Sequence, residues 1–280
     1  MSELVQEQQA AQAARGAAPW PQAAEPVLGL PLAQSASIQA GAWFAGLSAP
    51  LHDAILGLAR VRQVQAGACI ARRGDAAVSW VGVAGGALRL GTALRDGREF
   101  TLEFIGPGQW FGDIALVDER PLDVDLTAHV PSTLLVLSKA DLLRLLGNSD
   151  ELTAALLRLN CQRLRHMLRR FEELQTMGLA QRLARQLQRL LRQFGRPQAP
   201  GARIALELSQ GDLAAMVGGS RQRVNRALRQ MHAEGIVQLG QPQLWVLSEA
   251  RLAAVAAGLC VLMEPASASA RATQRETTPA

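Results

Sequence analysis

Residues 209–239, SQGDLAAMVGGSRQRVNRALRQMHAEGIVQL, contain two short helix patterns separated by a pair of glycines. Ser209 and Asp212 have the S-x-x-D spacing of a capping box, in which each residue satisfies an unpaired backbone N–H of the first turn. This spacing predicts a first helix over Gln210–Val217, which Gly218 and Gly219 then end.

The second helix of this stretch has one apolar and one basic side. Ser220 is placed to cap it, and Val224, Leu228 and Met231 recur at i, i+4 and i+7, so they share one face. The opposite face is loaded with arginine and amide side chains, which predicts a DNA-recognition helix. The candidate DNA-binding residues of the two helices are Ser209, Gln210, Ser220, Arg221, Gln222, Arg223, Asn225, Arg226 and Arg229.

A hairpin pattern follows the second helix. Glu234-Gly235 suits a helix stop, and residues 236–239 and 244–247 are two apolar runs separated by Gly240-Gln-Pro-Gln243. We expect these runs to pair as the two strands of a wing.

The distribution of charge supports a nucleic-acid partner for this region. Residues 151–235 contain 15 lysines and arginines against 6 acidic residues, whereas residues 1–150 contain 11 against 15. A basic segment that coincides with a helix-turn-helix pattern favours contact with phosphates, because neutralising them releases condensed counterions. The alternative is a merely solvated face, because only Lys139 is a lysine and arginine is abundant in the composition as a whole.

The remaining chain predicts a second, β-rich domain and two disordered ends. Residues 1–38, rich in Ala, Gln and Pro, and residues 259–280 are expected to be disordered. Residues 39–148 contain a short helical stretch and then many brief strand patterns separated by glycines, the spacing of a β-barrel or β-sandwich. Among them, Ala87–Leu90 and Phe100–Phe104 flank Asp96-Gly97, the preferred two-residue hairpin turn.

The predicted fold class is therefore α+β. It comprises an N-terminal antiparallel β-barrel at residues 39–148, a long helix at 149–177 and a winged helix-turn-helix domain at 178–258. Phe194–Ala202, which contains prolines and glycines, is expected to be a linker, and the hinge between the domains is expected near Met177-Gly178.

The long helix carries a heptad repeat. Its seam positions alternate in steps of four and three and include one polar Asn160, which predicts parallel pairing with a second copy of the chain. The alternative is a helix buried within one subunit. The candidate dimer-interface residues are Thr153, Leu157, Asn160, Leu164, Met167, Phe171 and Leu174, while a second stripe of Leu152, Leu156, Leu159 and Arg163 is placed to rest on the barrel.

Several classes of protein are disfavoured by the sequence. It has no run of roughly 18 apolar residues and no charged segment followed by an apolar leader, so we expect a cytoplasmic protein without a membrane partner. Cys69, Cys161 and Cys260 are too few and too far apart for a disulfide framework, a zinc site or an iron–sulfur cluster. Motifs that bind nucleotide phosphates or activate a nucleophile are missing, so we expect no enzyme, no catalytic residue, no metal and no cofactor.

The order of barrel, long helix, helix-turn-helix and wing resembles the Crp/Fnr family of bacterial transcription regulators over about residues 43–256. Two motifs carry the resemblance. GPGQWFGDIAL at 106–116 is similar to the family's barrel signature G-x-x-x-G-E-x-x-L, and VGGSRQRVNR at 217–226 is similar to its recognition helix, V-G-x-S-R-E-T-V-x-R.

This resemblance implies a homodimer that binds a palindromic operator in double-stranded DNA, with an effector in each barrel. RNA polymerase and a small-molecule or nucleotide effector are further candidate partners. The resemblance places Arg221 and Arg226 at the family's two base-reading arginines, and Gln222 where the family usually has glutamate. The alternative is an effector-binding or protein-interaction module that has lost DNA affinity, against which the retained arginines argue.

The effector pocket that the resemblance implies departs from the family's cyclic-AMP-binding branch. Asp113, after Gly112, stands for a glutamate, and Arg163 can take the position of its partnering arginine. The branch's phosphate-cradling Arg-Ser pair falls on Asp123-Val124, and the nearby Arg120 reaches the cradle only through a gap in the alignment. The Thr-Ser pair that touches the base falls on Met167-Leu168. We expect that cyclic AMP does not bind, because its phosphate would meet carboxylates instead of an arginine.

Overall fold

The computed structural model describes residues 25–26, 30–94, 99–240 and 243–260. The chain divides into two compact units, one of residues 1–92 and 102–163 and the other of residues 93–101 and 164–280. The predicted hairpin turn at Asp96-Gly97, most of the predicted N-terminal extension and nearly all of the predicted C-terminal tail lie outside the described residues.

Two antiparallel sheets, with helices around them, make up the N-terminal part of the chain. One sheet has the strand order β1-β2-β9-β4-β7 and the other β3-β8-β5-β6. The strands are β1 Glu25–Pro26, β2 Arg60–Val64, β3 Cys69–Ala71, β4 Ser79–Gly85, β5 Leu88–Ala93, β6 Glu99–Ile105, β7 Trp110–Phe111, β8 Asp125–Ala128 and β9 Ser132–Ser138. The helices are α1 Leu32–Gln39, α2 Ala49–Leu58, α3 Asp113–Val117, α4 Lys139–Asn148 and α5 Asp150–Thr176, with a 3-10 turn at Phe44–Gly46.

Strand β4 is the centre of the first unit because both of its faces are buried. Val81 and Val83 lie in the core between the two sheets, together with Leu126 of the opposite sheet. Trp80 faces the other way, into a second core that the helices complete and that includes Leu152 of α5. A strand buried on both sides needs an almost continuous apolar run, which residues 80–84 provide.

Helix α1 corrects the expectation that residues 1–38 form a disordered end. Ile38 is fully buried in the same core as Trp80. Gly41 and Gly108 approach so closely that a Cβ on either one would collide with the backbone of the other. The Ala- and Gln-rich composition of this segment gave the wrong expectation for its last residues, because Ile38 packs them against the core.

The second unit contains a winged helix-turn-helix. Its helices are α6 Leu179–Phe194, α7 Gln210–Val217, α8 Arg221–Ala233 and α9 Glu249–Ala256, and its strands are β10 Gly195–Gln198, β11 Gly201–Ile204, β12 Val237–Leu239 and β13 Leu244–Val246 in the order β10-β11-β13-β12. The predicted bounds of α7 and the predicted antiparallel wing are confirmed. The expectation of a linker at Phe194–Ala202 is wrong, because these residues start a hairpin whose second strand pairs with β13, with Ile204 opposite Leu244.

Helices α5 and α6 meet at Met177-Gly178, where a hinge was expected, but this junction lies inside the second unit. Two largely buried side chains tie the helices together there: the Arg189 guanidinium donates to both oxygens of Glu173, at 2.9 and 3.0 Å. The division between the units falls instead after Arg163, within α5. Among the described residues, no helix combines the length and apolar character needed to cross a membrane.

Candidate DNA-binding face and effector site

Helix α8 buries one side and exposes the other. Val224 and Met231 are fully buried, and Ala227 and Leu228 almost so. The exposed residues of the same helix are Arg221, Gln222, Arg223, Arg226 and Arg229. Because the apolar side anchors the helix, its guanidinium groups are presented to a partner in solution.

Both helices of the helix-turn-helix start on the caps that the sequence predicted. The Ser209 hydroxyl accepts the backbone N–H of Asp212 at 3.0 Å, and the Asp212 carboxylate accepts that of Ser209 at 2.8 Å. The Ser220 hydroxyl accepts the N–H of Arg223 at 3.3 Å. Between the helices, Gly218 has a φ of 63°, the left-handed conformation that ends α7. These local contacts determine where α8 begins.

A side-chain contact that the sequence did not reveal joins α7 to α8. The Gln210 Nε2 group donates to Asn225 Oδ1 at 3.2 Å, and both residues are half-buried. The next residue, Gly211, lies beside Arg221, since a Cβ built on this glycine would lie 3.7 Å from Arg221 Nε. The first turn of α7 therefore borders the exposed face of α8.

The candidate effector site begins at α3. Gly112 caps this helix with a φ of 105°, and a Cβ on it would lie only 2.9 Å from the carbonyl oxygen of Ser79, so the position requires glycine. This turn directs Asp113 inward, where its side chain is 1% exposed.

Asp113 is held by two residues of α5. Arg163 Nη1 donates to both carboxylate oxygens, at 2.8 and 3.0 Å, and Asn160 Nδ2 donates to Oδ2 at 2.8 Å. The second guanidinium nitrogen, Nη2, donates to the carbonyl oxygen of Trp110. We call Asp113, Asn160 and Arg163 the Asp113 clamp.

The Asp113 clamp confirms one expectation for α5 and corrects another. Arg163 rests on the barrel as predicted, and so do Leu152 and Leu156, which are buried in the core. Asn160 was expected in the dimer seam, but its amide faces Asp113 and the carbonyl oxygen of Leu156 in its own chain. A buried carboxylate attracts this amide more strongly than an apolar seam would.

The other residues of the predicted effector pocket do not converge on the clamp. Arg120 and Asp123 are exposed in the loop between α3 and β8, and the backbone N–H of Arg120 donates to Asp118 at 3.1 Å. Val124 is half-buried. Met167 and Leu168 lie on the part of α5 that belongs to the second unit, where Met167 is half-buried and Leu168 is exposed.

A line of exposed apolar side chains runs along α5. Leu157, Leu164, Leu168 and Phe171 are each between 60% and 65% exposed. Cys161 is also exposed, four residues after Leu157 and three before Leu164, so it falls on the same side of the helix. We call Leu157, Cys161, Leu164, Leu168 and Phe171 the α5 seam.

The α5 seam overlaps only in part with the predicted dimer interface. Leu157, Leu164 and Phe171 were expected there, and Leu174 is also exposed. Thr153 is exposed, and its hydroxyl donates to the carbonyl oxygen of Ser149 at 3.3 Å. Cys161 and Leu168 of the α5 seam were not among the residues predicted for that interface.

Comparisons with known proteins agree with both domains. A family model for the cyclic nucleotide-binding domain matches residues 61–149, and one for the Crp-like helix-turn-helix domain matches residues 181–255. The chain is 32% identical to a Thermus thermophilus protein named cyclic AMP receptor protein, over 77% of this chain and 97% of that protein. The chain belongs to the Crp/Fnr family of transcription regulators.

Other relatives of this regulator fit the same assignment. It is 28% identical to the CRP-like cAMP-activated global transcriptional regulator of Mycobacterium tuberculosis, over 60% of this chain and 75% of that protein. The solved structure of FixK2 from Bradyrhizobium japonicum matches with a TM-score of 0.64 at 24% identity, over 70% of this chain and 96% of that one. The helix-turn-helix of this regulator is therefore the DNA-binding domain of a Crp/Fnr protein, on the fold that the sequence predicted.

Proposed function

We propose that this regulator binds an inverted-repeat operator as a homodimer, that α8 of each copy reads one half-site, and that its barrel domain does not use cyclic AMP. The exposed arginine face of α8 carries this proposal. An arginine can donate two hydrogen bonds to the O6 and N7 atoms of guanine, and Arg221 and Arg226 are the two candidates for such contacts. Gln222 can both donate and accept, so the preferred half-site is expected to differ from that of relatives with glutamate there.

Binding of the full chain to a pool of randomised inverted repeats at increasing salt tests the DNA-binding function. We expect an affinity that falls steeply with salt, because phosphate contacts release counterions. Replacing both Arg221 and Arg226 by alanine should reduce binding strongly, whereas Arg144→Ala, an exposed arginine of α4, serves as the matched control. No binding even at low salt would overturn the proposal and favour a protein-interaction module.

The α5 seam supports the homodimer. Exposed apolar side chains at heptad spacing are covered when two parallel helices pair, and so many in one line would otherwise face water. Leu164→Glu should convert the protein to a monomer in sedimentation equilibrium, whereas Arg165→Glu, at the adjacent exposed position, should leave the dimer intact.

Cys161 provides a second test of the same interface. In a parallel pair the two copies of this residue face each other, and a disulfide needs Cα atoms only about 4.4–6.8 Å apart. In a background with Cys69→Ser and Cys260→Ser, mild oxidation should yield a covalent dimer. Combining Cys161→Ser with Arg165→Cys in the same background should abolish the covalent dimer. A monomer that does not cross-link would contradict the proposed dimer.

The proposal about cyclic AMP rests on charge. Relatives are named for cyclic AMP, but here the loop that would face its phosphate presents an exposed Asp123, and Asp125 accepts the backbone N–H of Arg73 at 2.9 Å. Asp113, the carboxylate that would meet a ribose hydroxyl, is already held by the clamp. A cyclic phosphate there would meet like charge from the carboxylates of Asp123 and Asp125.

Calorimetric titration of the DNA-competent full chain with cyclic AMP tests this part of the proposal. We expect no saturable heat. Asp123→Arg combined with Val124→Ser restores the missing phosphate contacts and should produce measurable binding if the charge is what excludes the ligand. Saturable binding by the unmodified protein would overturn the proposal about cyclic AMP without affecting the DNA-binding assignment.

A further inference from the structure

We infer that Gln210 is a specificity-determining residue, because its hydrogen bond to Asn225 fixes which atoms of Asn225 face the DNA. This inference rests on the proposed function of α8 as the base-reading helix. It concerns a position that the family's recognition pattern, V-G-x-S-R-E-T-V-x-R, leaves unspecified, so it is a property of this chain.

Asn225 lies in the middle of the exposed face of α8. It is four residues after Arg221, three after Gln222 and four before Arg229, and residues with these spacings are neighbours on one side of a helix. Unlike these neighbours it is half-buried, and the amide of Gln210 contacts it from α7. A side chain at this place meets the same groove as the two candidate base-reading arginines.

The hydrogen bond uses the oxygen of Asn225. Because Gln210 Nε2 donates to Asn225 Oδ1, the oxygen points toward α7, and the Asn225 NH2 group is what remains for DNA. An asparagine normally recognises adenine with both ends of its amide, accepting from N6 and donating to N7. With its oxygen turned toward α7, Asn225 presents its NH2 group, a donor, to the DNA.

A donor alone has a different base preference. Guanine fits it best, because O6 and N7 both accept, whereas adenine has its N7 acceptor beside the N6 donor and cytosine presents only a donor at N4. The Gln210–Asn225 pair should therefore favour guanine at the base it meets, disfavour cytosine, and lack the preference for adenine of an asparagine whose oxygen faces the base.

The test uses the full chain and a library of randomised inverted repeats, followed by affinities for all four bases at each half-site position. The Asn225→Ala variant identifies the position, as the one at which discrimination disappears. There the unmodified protein should favour guanine over adenine by at least about fivefold, the lower end of what one good base contact supplies.

Two substitutions of Gln210 should then change this preference in defined ways. Gln210→Ala releases the oxygen of Asn225 and should raise the relative affinity for adenine. Gln210→Glu can only accept, so it should hold the NH2 group of Asn225 and turn its oxygen to the DNA, which favours adenine or cytosine. Gln230→Ala, which removes an amide further along α8, is the matched control and should leave the preference unchanged.

The results distinguish this inference from the proposed function. If the Gln210 variants weaken all four bases evenly, or if Asn225→Ala changes discrimination at no position, the inference is overturned while DNA binding stands. If the unmodified protein binds no inverted repeat at low salt, the proposed function itself fails.

Discussion

Replacing Arg163 by methionine should show how strongly the first unit depends on the Asp113 clamp. Methionine retains much of the aliphatic stem but leaves the Asp113 carboxylate, 1% exposed, without its guanidinium partner. Removing one member of a buried ion pair typically costs about 3–5 kcal/mol. Arg163 is itself 31% exposed and Asn160 continues to donate to Asp113, so we expect the lower end, a loss of about 3 kcal/mol.

Tryptophan fluorescence during urea unfolding measures this loss of unfolding free energy in the first unit. The chain has no tyrosine and five tryptophans, and the rings of Trp43, Trp80 and Trp110 lie 4.3 to 6.4 Å apart in the first unit. In a background with Trp20→Phe and Trp245→Phe, only these three rings emit. Arg165→Met, an exposed arginine two residues further along α5, is the matched control and should cost little.

Two results would refute this reasoning. A loss below about 1 kcal/mol, or an equal loss in the control, would mean that Asp113 does not need the guanidinium group. The double variant Asp113→Asn with Arg163→Met removes both charges and keeps an oxygen for Asn160. It should recover much of the stability, because breaking a buried pair is costly mainly through the charge left behind. A double variant no more stable than Arg163→Met would assign the effect to packing instead.

Three further predictions concern the second unit. Arg226→Ala should relax base preference at one half-site position, whereas Arg229→Ala should lower the affinity for all sequences about evenly and reduce the salt dependence of binding. Gel shifts on operators with single-base changes measure these effects, and an even loss of affinity for Arg226→Ala would contradict its assignment as a base-reading residue. Glu173→Gln should destabilise the unit by about 3 kcal/mol, because it leaves the Arg189 guanidinium, 16% exposed, without its carboxylate partner. Urea unfolding monitored by the fluorescence of Trp245 measures this loss, and an unchanged unfolding midpoint would argue against a stabilising Glu173–Arg189 ion pair. The pKa of His166 is lowered from 6.5 by burial, then by Arg189 and neighbouring arginines, with Glu173 opposing. As the pH falls below 6.5, the histidine of the unfolded chain is therefore protonated before that of the folded chain, so the free energy of unfolding should decrease and then level off once the folded histidine is also protonated. Urea unfolding between about pH 7.5 and 5 measures this decrease, and His166→Gln should remove it.

The parts of this fold that were predictable from sequence are those with local causes. The bounds of α7 follow from Ser209 and Asp212, which bond to each other's backbone groups three residues apart. The burial of Val224 and Met231 follows from helical spacing alone. Such contacts depend on the adjacent turn and on no distant residue, so a pattern in the sequence is sufficient to find them.

The missed parts depend on partners that are distant in sequence. Asn160 is 47 residues from Asp113, and the heptad count that assigned it to the seam could not include that carboxylate. Between residues 157 and 171, two registers of the repeat share Leu157, Leu164 and Phe171 and differ in choosing position 160 or 161, and 167 or 168. The contact with Asp113 resolves the first choice, since it turns Asn160 toward the barrel and leaves Cys161 exposed.

Helix α5 connects the barrel to the proposed dimer because its two kinds of contact alternate along the sequence. It has 27 residues, a length of about 40 Å, and buries Leu152 and Leu156 against the barrel core. Further along, Asn160 and Arg163 bind Asp113 while Cys161 and Leu164, each one residue later, lie on the seam. Any rotation of α5 that moved the seam would therefore also pull these two residues away from the buried carboxylate. Under the proposed dimer, the contact between two copies of α5 and the hydrogen bonds of the buried carboxylate would therefore require the same orientation of this helix on the barrel.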